Sequence, residues 1–171
     1  MTVTTRRPLS GLSWEWLEIS ARTTLAAVGS LLLARFLKLP EAYWAPITAV
    51  VVMQSSLGAT LKVSGRRLAG TALGAAAGAV ISRCFGVSVL TFAAAVFVLG
   101  LLSGVLRVDR SAYRFAGITA SVVMLIPHGD PPWVIALYRF TESSLGIVVG
   151  LLVTVVWPER VSGSSLRASR S

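Results

Sequence analysis

Two arginines, Arg67 and Arg139, sit in otherwise apolar stretches, each ahead of small and aliphatic residues with paired glycines, Gly74 with Gly78 and Gly146 with Gly150. A guanidinium stays charged at any physiological pH and can hold a carboxylate through two parallel N–H···O bonds. An anion leaving water for lipid needs such fixed positive charge, because a bare carboxylate is costly to desolvate. Arg67 and Arg139 are therefore candidate anion-binding groups, with headgroup anchoring as the structural alternative. Arg66, Lys62, Arg22 and Arg114 form an inner vestibule on the first view and topology signals on the second. Glu142 follows Arg139 by three residues, one helical turn. It either closes a surface ion pair or carries a proton inside a membrane helix, where ionisable groups are rare and functional. Tyr43 and Trp44, with Tyr113 and Trp133, form an interfacial aromatic belt or a stacking surface for an aromatic ligand. Gln54, with Ser55 and Ser56, lines a polar path or joins helices by hydrogen bonds.

Other chemistries lack their residues. There is no GxxxxGK[ST] phosphate loop and no GxSxG elbow, and one histidine with one cysteine leaves no triad, disulfide or metal-ligand spacing. No enzymatic activity, cofactor or metal site is expected.

The elements that must position these groups follow from composition. The 171 residues are 54% hydrophobic and 13% charged, with a mean hydropathy of +0.75, against about 25% charged residues in soluble domains. A water-soluble monomer is excluded. Apolar runs predict an all-α integral membrane protein with six transmembrane helices, over residues 20–38, 42–61, 65–83, 88–107, 112–126 and 133–157. Each must be helical because lipid offers no partner for unpaired backbone groups. Flanking arginines, among them Arg22, Arg35, Arg67, Arg83, Arg114 and Arg139, are expected to extend the shorter helices by reaching to the headgroups. Residues 1–19 read as a cytoplasmic or interfacial arm, with a short amphipathic helix over 13–20, followed by the six-helix module over 20–158. Residues 159–171, rich in Ser and Arg, read as a disordered cytoplasmic tail.

The net charge of +9 reflects topology rather than a nucleic-acid partner. With the N-terminus inside, Arg6, Arg7, Arg22, Lys62, Arg66, Arg67, Arg107, Arg110, Arg114, Arg160, Arg167 and Arg170 fall on the cytoplasmic side, and Arg35, Lys38, Arg83 and Arg139 outside. Twelve against four satisfies the positive-inside rule with both termini cytoplasmic.

The halves of the chain repeat. Ile47-Thr-Ala-Val-Val-Val-Met53 matches Ile118-Thr-Ala-Ser-Val-Val-Met124 at an offset of 71, and Arg67, Leu73, Gly74 and Gly78 match Arg139, Leu145, Gly146 and Gly150 at 72. The first helices of the halves show little similarity. Three helices per unit, an odd number, make the two repeats inverted in the membrane, a transporter design with sites between the repeats near the midplane. Arg67 then starts its helix at the inner face and Arg139 at the outer. The glycine faces of the third and sixth helices are expected to meet each other, with a subunit interface as the alternative.

Tyr43-Trp-Ala-Pro-Ile-Thr-Ala-Val-Val-Val-Met-Gln54, then Leu57-Gly-Ala-Thr-Leu61, then Gly65-Arg-Arg-Leu-Ala-Gly-Thr-Ala-Leu-Gly74, with a closing helix from Arg139 to Trp157-Pro158, resembles the fusaric acid resistance and aromatic acid exporter family. The resemblance implies a membrane module of the bacterial inner membrane that exports or conducts organic anions, especially aromatic carboxylates, often as a dimer. Plant aluminium-activated malate channels are similar at greater distance. Many family members add a cytoplasmic domain and some a second membrane module. This sequence shows neither, so two roles stand open: a permease for small organic anions, or a non-transporting membrane subunit or scaffold that needs a partner.

Overall fold

The computed structural model describes residues 14–54, 56–126 and 129–158. Of the arm expected over residues 1–19, residues 1–13 lie outside these, as does the tail expected over 159–171. The described residues form six helices and no strand: α1 (Trp14–Phe36), α2 (Trp44–Val52), α3 (Leu57–Phe85), α4 (Val89–Val105), α5 (Arg110–Leu125) and α6 (Pro132–Val156). Among them, three are long and apolar enough to cross a membrane: Trp16–Phe36 within α1, Leu57–Phe85 and Pro132–Val156.

Three helix boundaries differ from the expectation by more than two residues. The segment expected as a separate interfacial helix is the first turns of α1, which runs unbroken from Trp14. The second span is not one helix over 42–61, because α2 has nine residues and stops where Met53 turns extended. At 1.5 Å per residue α2 covers about 14 Å, under half of a ~30 Å hydrocarbon core. α3 then starts at Leu57 rather than 65 and runs for 29 residues. Ser56 sets that start, its hydroxyl accepting the Ala59 amide at 3.3 Å, while the Gln54 amide donates to the Thr60 hydroxyl at 3.2 Å. Lys62, Arg66 and Arg67 therefore lie inside α3. Charge misplaces the boundary because these arginines meet protein rather than headgroups: Arg22, Arg67 and Arg139 are buried, whereas Arg35, Arg83 and Arg114 are exposed.

The turns between helices are closed by local chemistry. Gly86, at φ +72°, ends α3 in a conformation that suits glycine. Ser88 then opens α4 with a capping box, its hydroxyl accepting the Thr91 amide at 3.1 Å and Thr91 Oγ1 accepting the Ser88 amide at 2.8 Å. α1 and α4, dissimilar in sequence, end alike. Lys38 and Arg107 are both left-handed, at φ 53° and 52°. Beyond them the Leu39 amide donates to the Ala34 carbonyl at 3.0 Å, and the Val108 amide to the Ser103 carbonyl at 2.9 Å, the same helix-terminating pattern.

α3 and α6 lie at the centre and touch each other. α3 packs broadly on α5 and α6 on α2, with α1 against α2 and α6, and α4 against α5 and α3. The glycines, however, do not face each other across α3 and α6. A Cβ at Gly74 would overlap the Ala116 carbonyl of α5, and one at Gly146 the Ala45 carbonyl of α2. Gly78 faces Val123 and Ala120, and Gly150 faces Val52 and Ala49. Ala45, Ala49 and Val52 stand 71 positions before Ala116, Ala120 and Val123. Each half thus lends its glycine face to the second helix of the other, where small residues allow backbones to approach.

Candidate functional site

Arg67 lies ten residues beyond the start of α3 and Arg139 seven beyond the start of α6, about 15 Å and 10 Å along their helices. Neither starts its helix, so helix-end dipoles, which fade within one turn, do not serve them. The side chains are 4% and 3% exposed. Each guanidinium is laid on an aromatic ring, Arg67 Cζ 4.6 Å from the Phe115 centroid and Arg139 Cζ 4.6 Å from that of Trp44, a cation–π arrangement that partly repays burial. Trp44 and Phe115 are themselves 71 positions apart, just before the repeated Ile-Thr-Ala blocks.

α2 brings the two arginines into one centre. Arg67 Nη2 donates to Thr48 Oγ1 at 3.3 Å, and Thr48 lies one turn from the Trp44 that carries Arg139. Around them charge is distributed unequally. Arg139 pairs with both Glu142 and Glu41, and the Glu41 amide donates to Glu142 Oε1 at 3.1 Å. Glu142 is fully buried, so its ion pair is an internal one, not a surface pair. Among the described residues no carboxylate pairs with Arg67.

Of the candidate residues, Arg67, Arg139, Glu142 and Trp44 come together. Tyr43 sits at the margin, exposed, its ring centroid 5.8 Å from that of Trp44. Arg66 is drawn away into an ion pair with Asp109 ahead of α5. Lys62 is exposed on α3, and Gln54 is exposed with Nε2 donating to the Met53 carbonyl at 2.8 Å. Sequence reasoning missed Glu41, Thr48 and Phe115. The aligned aromatic pair Trp44 and Phe115 was a usable signal for the last; nothing marked Glu41, which reaches Arg139 across 98 positions.

A groove of about 370 Å³ opens near the far end of α3, lined among others by Ser82, Asp130, Val123 and Ile135. Val123 and Ile135 also pack with Ala75 and Ala136 in an apolar cluster. Ala75 lies one turn beyond Thr71 on α3, so the cluster stands between groove and arginines. Among the described residues no group of His, Cys, Asp and Glu could hold a metal ion.

The inner membrane protein YeeA of Escherichia coli is 29% identical over 81% of this chain and 40% of its own length. The uncharacterized transporter YdhK of Salmonella typhimurium is 28% identical over 90% of this chain and 24% of its own. The p-hydroxybenzoic acid efflux pump subunit AaeB of Edwardsiella ictaluri is 30% identical over 86% and 25%. The chain thus spans 24% to 40% of the length of these relatives. No solved structure matches. The model of the fusaric acid resistance protein-like family matches residues 26–153, which include α2 to α5 and both ring-stacked arginines, and the chain belongs to that family.

Proposed function

We propose that this chain is the membrane module of an exporter for organic, chiefly aromatic, carboxylates in a bacterial inner membrane. The observation that carries the reading is the pair of buried, ring-stacked arginines at matching positions of the two halves. A buried guanidinium is costly unless matched by an anion, and Arg67, unlike the carboxylate-paired Arg139, has no carboxylate partner among the described residues; the aromatic rings beside the pair suit an aromatic acid. The named efflux function of the AaeB relative agrees with that substrate class, and the inner-membrane name of YeeA agrees with the location.

On this reading the chain crosses six times as two inverted three-helix repeats, α1–α3 and α4–α6, with α2 and the extended residues after it making one crossing. Exchange of the halves maps α3 on α5 to α6 on α2, and Gly74 against Ala116 to Gly146 against Ala45, which supports the repeat. Both termini are cytoplasmic, as the arginine and lysine count favours. Arg67 holds the anion, with Arg139, its counter-charge Glu142 and Trp44 beside it and Tyr43 at the rim; Arg66, Lys62 and Gln54 serve the approach to it.

A second reading, a membrane subunit that moves nothing alone, is favoured by the word subunit in the name of one relative. Its partner would be a second copy or another chain. Efflux of p-hydroxybenzoate from liposomes holding the purified chain separates the two. Protein-dependent flux supports the exporter. No flux with any mono- or dicarboxylate moves the assignment to the subunit.

A further inference from the structure

Three buried polar groups along one face of α3 have no hydrogen-bond partner among the described residues: the Ser64 hydroxyl, the Arg67 Nε–H and the Thr71 hydroxyl. Their residues are 4%, 4% and 0% exposed. Spacings of three and four residues place them on one stripe about 10 Å long. Buried polar groups left unpaired are costly and uncommon, and three in one stripe form a donor array without an acceptor.

The other half of the molecule does not repeat this array. The positions 72 beyond Ser64 and Thr71 hold Ala136 and Ser143, so one of the two hydroxyls is replaced by a methyl group. Arg139 keeps Nε and Nη1 unpartnered, but its charge is matched by Glu41 and Glu142. The position matching Glu142 is Gly70, where a Cβ would already overlap the Ala112 carbonyl and crowd Phe115. No side chain can enter there to supply Arg67 with a carboxylate. The buried charge of Arg67, on α3, therefore has no matching carboxylate among the described residues.

A partner for this array must accept several hydrogen bonds and carry one negative charge. Phe115 lies against a face of the Arg67 guanidinium, which leaves its Nε edge for a planar, two-oxygen acceptor. We propose that Arg67, Ser64 and Thr71 hold the carboxylate of a monocarboxylate, and that Arg139, already neutralised, is not a second carboxylate site. The assignment rests on the exporter reading and narrows it from organic anions in general to those with a single carboxylate.

Efflux of benzoate and of phthalate, which differ by one carboxylate, is measured over a concentration range in liposomes bearing the full chain. Benzoate flux should saturate and exceed phthalate flux. Ser64→Ala and Thr71→Val should each raise the benzoate KM about tenfold, the size expected for losing one hydrogen bond to a charged group. Thr71→Ser should restore it, and Ser143→Ala should leave it unchanged. A wild-type benzoate KM in both hydroxyl-deletion variants would overturn the site while leaving the exporter reading intact. Phthalate moved as well as benzoate, or inorganic phosphate competing as well as either, would overturn the monocarboxylate assignment. Absence of flux from wild type with every carboxylate would overturn the exporter reading and this site with it.

Discussion

Replacing Gly74 by alanine tests the crossed packing of the halves. The added Cβ would overlap the carbonyl oxygen, carbonyl carbon and Cα of Ala116. These are backbone atoms of α5, which cannot rotate aside as a side chain would, so α3 and α5 must separate. Overpacking of this kind costs about 3 kcal/mol, the upper part of the usual range. Alanine's better helix propensity returns about 1 kcal/mol, leaving a net loss of about 2 kcal/mol. At roughly 2–4 °C per kcal/mol for a chain of this size, Tm should fall by about 4–8 °C. Gly65, on the same helix, has nothing within 4 Å of its would-be Cβ. Gly65→Ala should keep only the propensity gain and raise Tm by about 2–4 °C. Gly146→Ala, meeting the Ala45 carbonyl and Thr48, should behave like Gly74→Ala. The assay is loss of the monodisperse peak on size-exclusion chromatography after heating in detergent. Gly74→Ala as stable as Gly65→Ala would refute the close contact, and a large difference between Gly74→Ala and Gly146→Ala would refute the equivalence of the halves.

Glu41→Gln and Glu142→Gln each leave Arg139 one carboxylate, whereas the double variant leaves a buried guanidinium unmatched, a loss of about 3–5 kcal/mol. The double-mutant cycle, read by the same thermal assay, should therefore be strongly non-additive; simple additivity would show that the two carboxylates do not share Arg139. Cys84, free and exposed at the end of α3, should react with a membrane-impermeant maleimide in intact spheroplasts; reaction only in inside-out vesicles would reverse the proposed orientation.

The identical Ile47-Thr-Ala and Ile118-Thr-Ala blocks pointed to matching positions on α2 and α5, and the helical class was legible because apolar runs leave few alternatives. The end of α2 was not, since Val52-Met53-Gln54 holds neither proline nor glycine and the charge taken as a boundary, Lys62, lies a turn inside α3. Ser56 is a readable cap, hidden inside the charge-free run that reaches to Lys62. Arg67 and Arg139 were found by their shared offset, but as two ends of a path. Their convergence depends on α2 presenting Trp44 and Thr48 one turn apart, and such cross-helix contacts leave no periodic mark. The shared left-handed ends of α1 and α4 were also hidden, because Lys38 and Arg107 match in backbone conformation rather than in the residues around them.

The initial rate of benzoate efflux from liposomes carrying equal, correctly inserted amounts of wild type, Arg67→Gln and Arg67→Lys measures whether the unmatched guanidinium carries the anion. The account predicts at least a roughly tenfold loss for Arg67→Gln, as a charge-assisted contact disappears, and an intermediate rate for Arg67→Lys, which keeps the charge without the two-pronged grip. Wild-type rates from well-inserted Arg67→Gln protein would contradict it.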